Sequence, residues 1–278
     1  MKFTKMHGLG NDYVYINAIS QEVTNRPELA RFVSNRNFGV GSDGLICIDS
    51  SKIADFKMDM YNADGSSSGM CGNGIRCVGK FVYDMGLTDK TTITVESGGE
   101  VKVLELFVEN GFVATVRVDM GKPIFAPEQI PIMSDLETYV NQPVVVDGEN
   151  YQVTALSMGN PHAVIFVDNL DMDLETIGPK FEHHPLFPQR VNTEFVRVID
   201  ENTLQMRVWE RGSGETLACG TGACATLVAA VLNGHAKEGA TVKLLGGDLE
   251  IFWDREGTGH VFMTGPAVTV FQGELIKQ

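Results

Sequence analysis

Short apolar segments alternate with polar, glycine-containing loops along most of the chain. These segments are rich in Val, Ile and Thr, residues that fit the pleated and half-buried surface of a β-sheet. The pattern predicts strands at residues 57–61, 92–95, 113–118, 144–146, 163–167, 204–209 and 268–271.

Two longer stretches differ from these predicted strands, because they contain no proline and each ends before a glycine. Gly74–Met85 stops before Gly86, and Gly222–Asn233 stops before Gly234; glycine at this place caps a helix in the left-handed conformation. The pattern therefore predicts two helices. The second contains Ala223–Leu232, which is apolar on every side, as is typical of a helix wholly inside a protein.

The sequence also repeats itself. At a shift of 148 residues, the motif Cys71-Gly-Asn-Gly aligns with Cys219-Gly-Thr-Gly, and no gap is needed from Met58 to Val101. Upstream, Asn11 aligns with Asn160 at a shift of 149, as a small loop insertion would cause. An internal repeat of this order predicts two homologous domains, the first covering about residues 1–121 and the second beginning near residue 122.

Each half has the same order of elements: a strand, a polar loop, the Cys-Gly-x-Gly motif, a helix and further strands. A sheet wrapped around one buried helix, built twice, fits this order. The predicted class is therefore α/β, with two related domains that each contain a mixed sheet and a central helix.

The composition and net charge of the chain exclude some classes of function. The chain has 278 residues, a formal net charge of −14 and 43% hydrophobic residues, which indicates a globular protein with a sizeable core. An acidic surface repels phosphate backbones and anionic lipids, so nucleic-acid and membrane roles are disfavoured. We see no basic leader or span-length apolar run and therefore expect a cytosolic protein, in which the five cysteines stay reduced.

Cys71 and Cys219 both fall at the first turn of a predicted helix. The partial positive charge and the backbone N–H groups of that turn stabilise a thiolate, and the flanking glycines let a ligand approach the backbone. Two equivalent thiols suit the inversion of a carbon stereocentre, which needs a base on one face and an acid on the other. The charge that develops would need preorganised donors, which two helix N-termini supply.

Four motifs together resemble the diaminopimelate epimerase family, over essentially the whole chain. They are Met6-His-Gly-Leu-Gly-Asn-Asp12, Met70-Cys-Gly-Asn-Gly-Ile-Arg-Cys77, Met158-Gly-Asn-Pro-His162, and Trp209-Glu-Arg-Gly212 with Ala218-Cys-Gly-Thr-Gly222. The resemblance implies an enzyme that needs no cofactor or metal and interconverts LL- and meso-diaminopimelate on the way to lysine and peptidoglycan. It implies a homodimer of two-domain, pseudo-twofold chains with barrel-like sheets. The domains would be residues 1–121 with 266–278, and 122–265.

The resemblance also implies roles for individual residues. Cys71 and Cys219 correspond to the catalytic bases, and His162 and Glu210 to neighbours that tune them. The substrate contacts correspond to Asn11, Asn62, Gly72, Asn73, Asn160, Asn192, Glu210, Arg211, Gly220 and Thr221. One position departs from the pattern, because many family members carry an amide side chain where this chain has Gly44.

Other chemical interpretations are weaker. Cys47, Cys77 and Cys224 lie in apolar or helical surroundings and are predicted to be packed core thiols. The cysteine spacings do not match a zinc site. The run Gly39–Gly44 has the letters of a dinucleotide-binding motif but precedes a predicted strand instead of a helix. His183 and His184 are predicted to form a loop pair before Pro185.

Three other functions remain open. A cysteine hydrolase or transferase would use one of the two thiols as a nucleophile, with His162 or His7 as its base. An amino-acid binding protein would need neither thiol. A different isomerase of the same architecture, such as a proline racemase or a phenazine-type isomerase, is the nearest alternative.

Overall fold

The computed structural model describes residues 1–276, and the last two residues of the predicted segment 266–278 lie outside it. The chain forms two compact units: unit 1 is Met1–Val118 with the described residues from Thr264 onward, and unit 2 is Asp119–Met263. In chain order the elements are β1 (Lys2–Gly8), β2 (Asn11–Asn17), α1 (Arg26–Ser34), β3 (Gly44–Asp49), β4 (Phe56–Asn62), β5 (Ser67–Ser68), α2 (Gly72–Asp84), β6 (Thr92–Ser97), β7 (Glu100–Glu109), β8 (Phe112–Gly121), β9 (Tyr139–Val146), β10 (Glu149–Ser157), β11 (Pro161–Phe166), α3 (Leu174–Glu182), β12 (Asn192–Asp200), β13 (Thr203–Glu210), β14 (Gly214–Glu215), α4 (Gly220–Leu232), β15 (Gly239–Leu244), β16 (Gly247–Trp253), β17 (Val261–Pro266) and β18 (Val268–Glu274).

Unit 1 is a mixed sheet in which the strands pair in the order β18, β1, β2, β3, β4, β6, β7 and β8. The pairs β2–β3 and β4–β6 are parallel, and the others are antiparallel. Each parallel pair is joined by a crossover that contains a helix, as parallel strands require.

Unit 2 repeats this plan. Its strands pair in the order β9, β10, β11, β12, β13, β15 and β16, and the parallel pairs β11–β12 and β13–β15 occupy the equivalent places. The helices α3 and α4 lie in the two crossovers, as α1 and α2 do in unit 1. The predicted α/β class is confirmed.

The two motif helices lie against the sheets. In unit 2, α4 contacts β10, β11, β12, β13, β15 and β16, and its residues from Gly222 to Ala230 are all buried. In unit 1, α2 contacts β1, β2 and β7 through a side that includes Ile75, Val78 and Phe81. Both helices are followed by glycines in the left-handed conformation, Gly86 with φ 69° and Gly234 with φ 72°, as predicted.

The sequence patterns did not predict α1 and α3. The first is short, with a proline in its first turn, and it packs Ala30 and Val33 against the sheet of unit 1. The second contains Pro179, a residue that normally signals the end of a helix, yet it packs Phe181 into the core of unit 2. Tertiary packing therefore stabilises both helices against weak local signals.

Several smaller predictions are confirmed. The thiols Cys47, Cys77 and Cys224 are buried in the core. The glycine-rich run that ends at Gly44 leads into strand β3. His184 lies after α3, where its Nε2 is 3.1 Å from the Val145 carbonyl oxygen. Within residues 1–276, none of the helices combines the length and apolarity needed to cross a membrane.

Candidate active site

Cys71 is the N-cap of α2, with extended backbone angles of φ −137° and ψ 114°. The backbone N–H of Gly74 donates a hydrogen bond to its sulfur at 3.3 Å, so the thiol takes the capping role that a serine or aspartate usually has. The helix therefore begins at Gly72, two positions before the predicted start. A Cβ at Gly74 would lie 2.8 Å from Ile46 Cδ1, so glycine lets the first turn pack closely on β3.

Strand β2 supplies the neighbours of the Cys71 thiol. The thiol donates to Asn11 Oδ1 at 3.2 Å, while Asn11 Nδ2 donates to Asp43 Oδ2 at 2.9 Å. The Tyr13 hydroxyl faces the same two residues, Asn11 and Cys71; burial first, and then the Cys71 thiol, raise the pKa of this hydroxyl above its usual range. The unit 1 thiol thus lies among an amide and a phenol.

Gly44 lies beside Tyr13 in the parallel pair β2–β3. A Cβ at Gly44 would lie 2.2 Å from the Tyr61 carbonyl oxygen and 2.8 Å from Tyr13 Cε1. A side chain at this position is therefore sterically excluded, and the Tyr13 ring occupies the neighbouring space. The packing of Tyr13 and Tyr61 therefore gives a steric reason for glycine at this position.

Of the remaining predicted residues of unit 1, Gly72 and Asn73 lie in the first turn of α2. Arg76 is fully buried, and its guanidinium donates to Asn73 Oδ1 and to the Gly72 carbonyl oxygen, both at 3.0 Å. This contact ties the Asn73 side chain to the helix. Asn62 ends β4, and its side-chain Nδ2 donates to Ser66 Oγ at 2.9 Å.

Cys219 is the N-cap of α4 and repeats this geometry, with φ −119° and ψ 111°. Its sulfur accepts from the Gly222 N–H at 3.3 Å and lies 3.5 Å from Thr221 Oγ1. The side chain differs in environment, since Cys219 is only 5% exposed and Cys71 is half-buried.

Ionisable groups lie close to the Cys219 thiol. His162, on β11, is fully buried; its Nδ1 lies 2.7 Å from Glu194 Oε1 and its Nε2 lies 2.9 Å from Asn160 Oδ1. Glu210 ends β13 and accepts a hydrogen bond from Thr216 Oγ1. Unit 2 therefore brings together a thiol, an imidazole and two carboxyl groups.

The charges of this group act on one another. Burial raises the pKa of the Glu210 carboxyl, and the Glu194 charge adds to this effect, whereas Thr216, Cys219 and His162 act in the opposite direction. Burial, then the charges of Glu210 and Glu194, raise the pKa of the Cys219 thiol well above its usual range. The helix-terminus argument alone predicts a stabilised thiolate, and at Cys219 the structure shows the reverse because burial and two carboxylates outweigh the helix end.

Asn192 and Arg211 are joined next to this group. Asn192 Oδ1 accepts from the Arg211 backbone N–H at 2.9 Å, and Asn192 Nδ2 donates to the Pro161 carbonyl oxygen at 2.8 Å. The Arg211 guanidinium donates to the Gln189 carbonyl oxygen at 3.1 Å on the exposed side. Each Asn192 amide atom retains further hydrogen-bonding capacity for a ligand.

Sequence reasoning missed Tyr13 and Glu194. The repeat contained a signal for Tyr13, because a shift of 149 aligns it with His162. Strand pairing matches Glu194 with Ile46, since each lies two residues after the residue that faces His162 or Tyr13. A carboxylate aligned with an isoleucine inside an apolar strand is unusual, since buried charges need partners.

Comparison with solved structures defines the class of fold. A probable proline racemase from Agrobacterium radiobacter K84 superposes with a TM-score of 0.73 at 13% identity, covering 100% of this chain and 93% of that one. A phenazine biosynthesis protein of the PhzF family from Bacillus anthracis gives 0.70 at 16% identity, covering 100% and 99%. The chain therefore has the fold that these racemase and phenazine biosynthesis proteins share.

Sequence comparison gives the family. The family model described as diaminopimelate epimerase matches residues 3–126 and 154–270. A diaminopimelate epimerase from Acetivibrio thermocellus is 62% identical over 276 residues, covering 99% of this chain and 98% of that protein, and one from Methanococcus maripaludis is 58% identical, covering 99% of each. The chain belongs to the diaminopimelate epimerase family, which confirms the resemblance drawn from its motifs.

Proposed function

We propose that this chain is an isomerase that interconverts LL- and meso-diaminopimelate, in the formation of lysine and peptidoglycan precursors. Among the activities of this fold, the observation that supports the proposal is that a cysteine caps the motif helix in both units. Cys71 and Cys219 each cap a motif helix and each accept the N–H of the third residue of that helix.

In this mechanism, one thiolate removes the α-hydrogen as a proton, and the electron pair of the broken C–H bond stays on the α-carbon. The other thiol then donates its proton to the opposite face, which inverts the centre and exchanges the protonation states of the two sulfurs. The first turn of a helix carries partial positive charge on its backbone N–H groups, so the turns at Gly72–Asn73 and Gly220–Thr221 would stabilise the negative charge that develops toward the α-carboxylate.

The raised pKa of Cys219 supports a starting state in which Cys219 is protonated and serves as the acid. Glu210 faces Cys219 and shares a hydrogen bond with it, so this carboxyl would take and return the Cys219 proton when the enzyme resets. Epimerisation starting from the opposite isomer requires Cys219 to be the base, and Glu210 is the group that would then receive its proton.

The polar side chains around the two helix ends would hold the substrate. Asn11 lies beside Cys71, and Asn160 lies beside His162. Asn62 ends β4, Asn192 begins β12 and Arg211 directly follows β13. Diaminopimelate has an amino and a carboxylate group at both ends. Amide side chains can both donate to a carboxylate and accept from an ammonium, and arginine adds a charge-assisted contact.

The thiols and helix ends supply acid, base and charge stabilisation, so the proposal includes neither a cofactor nor a metal. The test is conversion of LL-diaminopimelate to the meso isomer by purified protein, with a chelator and with a carbonyl reagent that traps pyridoxal phosphate. We expect full activity under both treatments. Loss of activity that pyridoxal phosphate or a metal restores would contradict the proposal, and turnover of proline alone would favour a proline racemase.

We also propose that the enzyme works as a homodimer in the cytoplasm, where catalytic thiols stay reduced. Family resemblance supports the dimer, and unit 1 has exposed apolar side chains on β7 and β8, including Phe107 and Phe112. Sedimentation equilibrium tests the assembly, with twice the chain mass as the expected result and the single chain mass as the contrary one.

A further inference from the structure

Glu194 lies on β12, in a run of buried residues, with a side chain that is fully buried. Its Oε1 lies 2.7 Å from His162 Nδ1, and its Oε2 has no hydrogen-bond partner among residues 1–276. A buried carboxylate with one unpartnered oxygen is costly, because it has given up its hydration. A residue that only filled space here would not need a charge.

The carboxylate lies under the first turn of α4. A Cβ at Gly222 would lie 2.6 Å from Glu194 Oε1 and 3.2 Å from Cys219 Sγ. The carboxylate oxygen and the sulfur therefore both lie next to the position that a side chain of residue 222 would occupy. Gly222 is therefore what allows the carboxylate to approach the thiol. A negative charge at a helix N-terminus is favourable for the helix, which offsets part of the cost of burying it.

Unit 1 shows the same place without a charge. Strand pairing matches Glu194 with Ile46, and Ile46 Cδ1 lies 2.8 Å from the Cβ position of Gly74, next to Cys71. The strand, the glycine and the capping thiol are all present in both units. An apolar side chain therefore satisfies the packing at this position, and the carboxylate at residue 194 has another role.

We propose that Glu194 is a positioning residue of the Cys219 site: it orients the His162 ring through Nδ1, and its charge beneath the first turn of α4 keeps Cys219 protonated. The titratable groups that face this cluster are His162 on β11, Glu210 on β13 and Cys219 itself. Glu194 and Glu210 both oppose ionisation of the Cys219 thiol, and Glu194 also opposes ionisation of Glu210.

The ring contact has a second consequence, which rests on the proposed function. With Nδ1 held by Glu194, Nε2 faces Asn160 Oδ1. Through this ring, Glu194 would also hold the place of the Asn160 side chain. Glu194 would thus act through Cys219 and Asn160, which the proposed function places in contact with the substrate, without touching the substrate itself.

The test uses Glu194→Gln, which keeps the shape and an acceptor for His162 but removes the charge. The rate of alkylation of Cys219 and Cys71 by iodoacetamide is followed against pH by peptide mass spectrometry. We expect the midpoint for Cys219 to fall by about one pH unit, which corresponds to about tenfold faster alkylation below it. The midpoint for Cys71 in the same molecules should not change. An unchanged or higher midpoint for Cys219 would overturn the proposal.

Two further variants separate charge from structure. Glu194→Asp keeps the charge with a poorer fit, so its Cys219 midpoint should stay closer to the parental value than that of Glu194→Gln; the reverse order would indicate a packing role and overturn the proposal. Thr193→Val removes the neighbouring buried hydroxyl, which also has no hydrogen-bond partner in the described chain, and should leave both midpoints unchanged.

If Glu194→Gln does not fold, Glu194→Ile copies the residue found in unit 1 and provides the same charge removal. Alkylation does not require turnover, so a shifted Cys219 midpoint in a protein that fails to epimerise diaminopimelate would support the role of Glu194 and contradict only the proposed function.

Discussion

The two thiol sites share one backbone design and differ in the side chains around it. In each unit a cysteine caps the motif helix, a glycine three residues later donates to the sulfur, and a parallel strand pair lies beneath. At the matched positions, unit 1 has Tyr13, Ile46 and Asn62, and unit 2 has His162, Glu194 and Glu210. A phenol, an alkyl chain and an amide in unit 1 are thus replaced by an imidazole and two carboxyl groups in unit 2.

This difference shows that a repeated fold fixes the place of a reactive group without fixing its chemistry. The helix end is equivalent for both sulfurs, so it cannot distinguish a thiol from a thiolate. Burial and neighbouring charge can, because a carboxylate close to a sulfur opposes its ionisation. A reaction that needs one acid and one base at the start can therefore use two copies of the same backbone.

The strongest test of the comparison is oxidation. If both sulfurs serve one α-carbon, mild oxidation without substrate should join Cys71 to Cys219 and abolish activity, and a reductant should restore it. Intact mass should fall by two hydrogens, and peptide mapping should identify the pair. Inactivation accompanied by a bond between other cysteines would contradict the proposed two-thiol mechanism.

Replacing each thiol separately shows which isomer it serves. Cys71→Ala and Cys219→Ala should each lower epimerisation by about 10²–10⁴-fold, because each removes the acid or base on one face. Any remaining activity of each variant should be exchange of the α-hydrogen of one isomer with deuterated water, and the isomer should differ between the two variants. Exchange of the same isomer by both variants, or near-parental epimerisation by either, would show that the thiols are not opposed bases.

Glu210→Gln tests the charged side of the comparison. We expect a loss of activity of about 10²-fold, because Cys219 loses its proton acceptor. The thermal stability of this variant should instead increase at neutral pH. The folded-state pKa of Glu210 is raised, so its protonation stabilises the fold at low pH and this contribution is lost as pH rises through the raised pKa.

At neutral pH, Glu210→Gln should therefore have a higher Tm than the parental protein, and the difference should shrink as pH falls below the ordinary carboxyl range. Calorimetry at several pH values measures this, with Glu201→Gln, at an exposed ion pair, as the control. A lower Tm at neutral pH would contradict the direction of the Glu210 shift.

The smallest effect is expected on the neutral side. Tyr13→Phe removes a hydroxyl near Cys71 and Asn11 but leaves the ring that packs beside Gly44. Loss of one hydrogen bond of about 0.5–1.5 kcal/mol predicts a two- to tenfold change in kcat. The alkylation midpoint of Cys71 should move and that of Cys219 should not. A larger effect at Cys219 would mean that the two environments are not independent.

Much of the fold could be predicted from local pattern. The two motif helices, their glycine caps and the strands at 57–61, 92–95 and 204–209 all follow from residue preferences over short windows. The helices α1 and α3 could not, because a nine-residue helix with proline in its first turn or interior depends on packing against a sheet formed by distant strands.

The sequence by itself determined the repeat, the two thiols at helix starts and the family, because these depend on residue identity and spacing. It did not determine that the thiols differ. Glu194 approaches Cys219 only because β12 passes beneath α4 at Gly222, and His162 meets Glu194 only because β11 and β12 pair in parallel. The ionisation of a thiol depends on burial and on charges a few ångströms away, and those neighbours are set by the tertiary structure.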